Sequence, residues 1–405
     1  MVSKIVLPNG VRIVCEKLTH VRSASCGIWV ESGSRGEPAA LAGVSHFIEH
    51  MVFKGTASRT AEDIAREMDA IGGRVNAFTT KECTCFYLKA LDSHLRTGLD
   101  VLCDMFFNAR FDEADVELEK GVILEEIGMY EDAPDDLVVE RNFQTVFRGS
   151  PLARPVLGGK KTVSALTGAV MRDYMKSHYA PENTVVALSG SFRKSDVSYL
   201  IRLFGRMRGE RPKPCAPAFY RPADTAKTKR LEQNHRVITY PGVSFSDPRR
   251  YAVQLLSSAL GGGMSSRLFQ ELREKRGLCY SVYTFLTGHD DVGLFSVYTA
   301  TNKETEAEAL EIIRRELARV KAAGVTKEEL SRVREQHKAN LLMGLESISS
   351  RMNHLARSEM IFHRDVPVEE LIAGYDAVTE KDMLRVANEL LRDDMRSTSV
   401  VGRLK

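Results

Sequence analysis

The sequence predicts an α+β protein built as two tandem domains of related layout. Three observations carry the prediction. At 405 residues the chain is too long for one ordinary hydrophobic core. Strand-type and helix-type apolar patterns are mixed along it, beginning with a hairpin signature. A basic, proline-containing stretch then separates two halves, each of which closes with a helix opening followed by a β-branched run.

The elements follow in chain order. Met1–Val14 reads as two β-rich runs joined around Asn9-Gly10, a strong hairpin turn signal. Thr60 opens a helix with Asp63 in the capping-box position; Ile64, Met68 and Ile71 form its apolar stripe, and Gly72-Gly73 stops it. Arg74–Thr79 reads as a strand and Thr84–Leu91 as its partner. Ser93 to about Arg110 is helical, with Leu95, Leu99, Leu102 and Phe106 on one side. Asp112–Ile127 is a further helix, with Asp112 at its start and Asp115 in a first turn that favours acids. The expected first domain is 1–206, the linker 207–222 with Pro212, Pro214 and Pro217, and the second domain 223–405. Val163–Met175 precedes the strand Thr184–Ser189, much as Tyr375–Leu384 precedes Ser397–Val401. A period of roughly two hundred residues is too long for a solenoid and fits a duplicated domain.

Composition bounds the function classes. Hydrophobic residues at 43% and charged residues at 27% are those of a globular protein. A net charge of +3 over this length argues against a dedicated nucleic-acid binder. The longest apolar runs fall far short of a membrane span, and the N-terminal run has no signal-peptide pattern. Seven scattered cysteines argue against a disulfide framework. Cys83 and Cys85, two apart on an apparent strand, read as small packing residues rather than ligands. Reduced thiols without a targeting segment point to a cytoplasm, most simply a bacterial one.

The chemistry concentrates in His46-Phe47-Ile48-Glu49-His50. On a helix His46 and His50 share a face, so both imidazoles can grip one metal ion while Glu49 leans over the same patch. A catalytic zinc takes a third protein ligand, and the acidic helix 112–127 can supply it. Glu119 and Glu126 lie two turns apart on one face; Glu126 is the better ligand, with Glu119 behind it orienting a ligand or polarising water. Spacing leaves Glu125 as a rival and a solvated acidic face as the plain alternative. In the second half, Gly261-Gly262-Gly263 lacks the phosphate-loop lysine and the dinucleotide glycine pattern, so it reads as a turn packed close to another segment. Arg276 and Tyr280, four apart, offer a cation and a phenol suited to carbonyl oxygens or an oxyanion; their alternative is a surface arginine and a packed tyrosine.

His46–Thr56, followed by Glu126 within Glu119–Ile127, resembles the pitrilysin/insulinase family of metallopeptidases, whose H-x-x-E-H pattern is the inverzincin motif. The family includes mitochondrial processing peptidases and many bacterial peptidases, and the resemblance runs along essentially the whole chain. It implies two similar domains, each a mostly antiparallel β-sheet with packed helices, the processing-peptidase-like α/β roll. It implies that His46, His50 and Glu126 bind one Zn²⁺ per chain, that Glu49 is the general base, and that Glu119 supports the site. The glycine-rich loop and Arg-x-x-x-Tyr element of bacterial members match Leu260–Val282, which implies that Arg276 and Tyr280 reach the substrate. Gly72–Thr79 also matches, which implies that Asn76 and Ala77 lie on a strand edge that pairs with an extended peptide. The expected protein is therefore a zinc endopeptidase acting on short or unfolded peptides, as a homodimer enclosing a chamber. A catalytically silent partner or scaffold subunit is the alternative; such subunits typically have an eroded metal motif, whereas every motif position is intact here.

Overall fold

The structure, a computed structural model, describes residues 2–403. The first sheet contains β1 (Val2–Val6), β2 (Arg12–Lys17), β3 (Ser23–Val30), β4 (Arg74–Thr79), β5 (Thr84–Leu91) and β6 (Thr184–Gly190), in the order β1-β2-β6-β3-β5-β4. The second contains β7 (Thr225–Thr228), β8 (Asn234–Pro241), β9 (Cys279–Gly288), β10 (Gly293–Thr301) and β11 (Ser397–Gly402), in the order β7-β11-β8-β10-β9. In each sheet one parallel pair, β2 with β6 and β7 with β11, seats the last strand of that half inside the sheet; the strands from there to β4 and to β9 are antiparallel. The repeated order is the duplication that the helix-then-strand pattern predicts. The fold is the expected α+β class, two similar domains of mixed sheet and packed helices.

The N-terminal hairpin forms, but not around a two-residue turn. Val6 pairs with Arg12, and the Leu7 N–H meets the Val11 carbonyl across a longer connection. A two-residue Asn9-Gly10 loop would pair Pro8 with Val11, and Pro8 has no N–H to donate.

In the first unit, α1 (Val44–Met51), α2 (Ala61–Ala70) and α3 (Leu95–Asn108) pack on one sheet face, burying Phe47, Ile48, Ile64, Met68, Leu99 and Phe106 with Ile28 and Leu88. The capping box of Thr60 and Asp63 starts α2 as expected, and Gly72 at φ +58 ends it. The opposite face carries Val14, Trp29, Cys85, Val185 and Ala187, which the helix Ile348–Phe362 covers with Met352, Leu355 and Ala356. Apolar cover on both sides explains why β3 and β6 are buried almost throughout and lack a clean alternation.

The helix α4 (Glu113–Asp132) precedes α5 (Pro134–Val146). In the second unit α5 sets Val138 against Val237, Tyr298, Ala300 and Val401. The compact units are thus Met1–Gly128 with Arg154–Ala216 and Met343–Val366, and Met129–Ala153 with Pro217–Leu342 and Pro367–Lys405. They differ from the expected 1–206 and 223–405 by the segments carrying α5 and the helix Ile348–Phe362, each recruited to cover an apolar sheet face of the other half. All seven cysteines are free, Cys85 in β5 and Cys83 just ahead of it. No helix among the described residues is long and apolar enough to cross a membrane.

Candidate metal centre

The site is built on α1. Gly43 precedes the helix at φ +96, a conformation that favours glycine, and a Cβ there would lie 2.6 Å from the Leu157 carbonyl oxygen. The buried carboxylate of Glu37 accepts the N–H groups of Gly43 at 2.7 Å and Ser45 at 2.8 Å, satisfying two of the free donors at the helix start. Val44, Phe47, Ile48 and Met51 are buried, so their packing fixes the rotation of this two-turn helix. His46 and His50 then stack on one side with ring centroids 4.6 Å apart.

Across from them, α4 buries Val116, Glu119, Ile123 and Ile127 and turns Glu126 inward, while Glu125 is exposed. The rivalry between the two carboxylates is decided by that packing. Glu126 Oε2 lies 3.5 Å from His46 Nε2 and 3.6 Å from His50 Nε2. These ligand atoms all fall within 4.8 Å of one another, the group among the described residues that could hold a metal ion. Glu126 Oε2 is buried without a hydrogen-bond partner. Zinc–ligand bonds of about 2.0–2.1 Å in tetrahedral geometry separate neighbouring ligand atoms by about 3.4 Å. The spacing, the nitrogen and oxygen donor set and the orphaned carboxylate oxygen all fit zinc. Burial, with the nearby His50 charge adding to it, lowers the His46 pKa to about 4, so its imidazole is neutral and has a lone pair to give.

Two further side chains complete the frame around the histidines. Glu119 Oε1 lies 2.8 Å from His50 Nδ1, which leaves Nε2 facing Glu126. Its other oxygen, Oε2, pairs with Lys54 Nζ at 2.5 Å. Burial pushes the Glu119 pKa up, but the hydrogen bonds from Lys54 and His50 outweigh it and hold the carboxylate below its ordinary range. Glu49 Oε2 accepts the Thr79 hydroxyl at 2.6 Å. Burial raises the Glu49 pKa; the Thr79 hydrogen bond and His50 oppose it, and Glu126 adds to it. Reading the sequence overlooks Lys54, Thr79 and Glu37. Only the alternation along β4, which sets Val75, Ala77 and Thr79 on one face, hints at any of the three.

Asn76 and Ala77 lie on β4, the outermost strand of the first sheet. Asn76 is exposed, and its Oδ1 accepts the Ala77 N–H at 2.8 Å; Ala77 itself is buried. Arg276 and Tyr280 belong to the second unit. Arg276 Nη1 donates to Glu271, to the carboxylate at 2.7 Å and to the carbonyl at 2.8 Å, just past the π-helical turn Phe269–Glu274. Tyr280 is exposed at the start of β9, with the Arg273 guanidinium 4.7 Å from its ring centroid. The glycine stretch is packed rather than open. A Cβ on Gly261 would meet the Thr284 nitrogen at 2.5 Å and one on Gly262 the Ser258 Cα at 2.6 Å, whereas Gly263 faces open space.

Comparison with known proteins accords with this geometry. Residues 12–160 match the insulinase family, peptidase family M16, and residues 165–337 match the peptidase M16 inactive domain. A relative from Streptomyces coelicolor, 42% identical over 100% of this chain and 90% of its own length, bears the name uncharacterized zinc protease. A Bacillus subtilis relative with the same description is 38% identical over 97% of each chain. In fold the chain is similar to a peptidase M16 inactive domain from Pseudomonas fluorescens, with a TM-score of 0.93 at 20% identity, covering 100% of this chain and 98% of that one. It is likewise similar to a protease from Helicobacter pylori, with a TM-score of 0.91 at 22% identity over 99% of each. The chain belongs to the insulinase family, peptidase family M16.

Proposed function

We propose that this member of peptidase family M16 is a zinc-dependent endopeptidase that hydrolyses short or unfolded peptides. The observation that carries the reading is the convergence of His46 Nε2, His50 Nε2 and Glu126 Oε2 beside the half-buried carboxylate of Glu49. Held by these three ligands, zinc would polarise the scissile carbonyl and acidify its water toward neutrality. Glu49 takes a proton from the attacking water and returns it to the leaving amine. Glu119 fixes the ring of His50 through Nδ1. The free edge of β4 at Asn76 and Ala77 gives an extended substrate a strand to pair with, and main-chain pairing of that kind asks little of the peptide's sequence. Arg276 and Tyr280 offer a cation and a phenol that would bind carbonyl oxygens of the substrate. One chain carries both the metal motif and the Arg276–Tyr280 element, which supports a self-sufficient enzyme with one zinc per chain. Its working form would be a cytoplasmic homodimer whose closed chamber admits unfolded peptides and excludes folded proteins.

The test joins metal analysis of the purified chain to mass-spectrometric mapping of cuts in a peptide library. Cleavage of modest-length peptides, abolished by a chelator and restored by zinc, is the expected result. A chain that binds zinc yet cuts nothing would favour a silent partner subunit.

A further inference from the structure

We propose that Thr79 is a positioning residue for the general base: its hydroxyl, at the end of the edge strand β4, holds Glu49 through Oε2 and leaves Oε1 to receive the proton of the attacking water. The inference rests on the peptidase reading above. Val75, Ala77 and Thr79 share the face of β4 that packs beside α1, and Thr79 closes the strand opposite Thr84. From there its Oγ1 donates to Glu49 Oε2 at 2.6 Å, a short charge-assisted contact. The contact reaches one oxygen of the Glu49 carboxylate, Oε2, and is the side-chain hydrogen bond that opposes the effect of burial on this group. The carboxylate is therefore tethered through Oε2, which leaves Oε1 as the oxygen to take the proton.

The tether matters because of where it is anchored. Glu49 sits on α1 with the metal ligands, three residues from His46 and next to His50. A glutamate side chain has three rotatable torsions, and α1 by itself does not choose among its rotamers. Thr79 makes the choice from a strand whose outer edge is open. A peptide hydrogen-bonded to β4 would thus lie on the same strand that aims the base, so substrate and proton acceptor share one rigid reference. Thr79 is not among the side chains that could hold the metal ion; it acts through Glu49.

The experiment compares T79V, which keeps the shape and removes the donor, with T79S, which keeps the donor. Cleavage of a quenched peptide is followed alongside zinc content and thermal melting. T79V should lose roughly 10- to 100-fold in kcat with KM changed less than about threefold. Its zinc content and melting temperature should match wild type, and T79S should recover most of the lost kcat. If T79V melts early, T79A against T79S makes the same comparison. Wild-type kcat in T79V, or T79S as slow as T79V, would overturn the positioning role while leaving the peptidase reading intact. No chelator-sensitive cleavage by wild type would overturn both.

Discussion

Replacing Lys54 by methionine tests how the centre is held together. Lys54 Nζ lies 2.5 Å from Glu119 Oε2, and Glu119 Oε1 lies 2.8 Å from His50 Nδ1. Lys54 thus reaches a metal-ligand histidine through one shared carboxylate. The Glu119 side chain is only 6% exposed and that of Lys54 is 37% exposed. A charged hydrogen bond contributes about 1.5–3 kcal/mol, and solvent screening at the lysine reduces this to about 1–2 kcal/mol. If that energy keeps Glu119 aimed at His50, losing it raises the zinc dissociation constant by about tenfold, because 1.4 kcal/mol is one decade. Tenfold lies at the lower end of the losses seen when an outer partner of a metal ligand is removed. The assay is zinc competition against a chromogenic chelator, run on wild type, K54M, E119Q and the double variant. In the E119Q background K54M should change the affinity less than about twofold, since its effect passes through the carboxylate. An unchanged zinc affinity in K54M, or an equal loss in both backgrounds, would refute the coupling.

Further outcomes follow from the same geometry. E49Q should keep stoichiometric zinc, measured by metal analysis, while peptide turnover falls by about 100- to 10,000-fold. F47A removes a fully buried ring on the back of α1 and should cost about 3–5 kcal/mol in urea unfolding. Glu37 provides a pH signature, because burial raises its pKa to about 7, with hydrogen bonds from Ser45 and Gly43 opposing the rise. Between the ordinary carboxyl value of 4.5 and about 7 the folded chain keeps a proton that the unfolded chain has lost. That share of stability is full below 4.5 and disappears as pH climbs through 7. Urea midpoints of metal-free protein should therefore decline over this interval, and E37Q, neutral throughout, should decline less. An E37Q curve parallel to wild type would contradict the assignment.

Beyond the fold class, what could be read in advance was local. Arg74–Thr79 and Thr84–Leu91 are strands with the bounds their alternation marks, and Thr60 and Asp63 cap α2 as their spacing demands. The stretch around Asn9-Gly10 shows the limit even there. Its turn signal is sound, but Pro8 beside it changes the loop. In the second half, Arg276 and Tyr280 announce a cation and a phenol, yet nothing in their spacing reveals that Glu271 holds the arginine or that Arg273 lies over the tyrosine.

The sequence by itself determined that His46 and His50 face the same way, since 3.6 residues per turn sets i and i+4 side by side on any helix. It also determined a two-domain α+β architecture, because periodicity and chain length are properties of the string. Only tertiary structure decided between Glu125 and Glu126, which point about 100° apart around α4 until burial of Val116, Ile123 and Ile127 fixes the helix's rotation. It alone brought Thr79 to Glu49 and Lys54 to Glu119, and it laid the helix Ile348–Phe362 over the sheet that ends with β6. The reason is physical. Backbone periodicity acts over a few residues, whereas convergence across dozens or hundreds of residues is chosen by which apolar faces can be buried together.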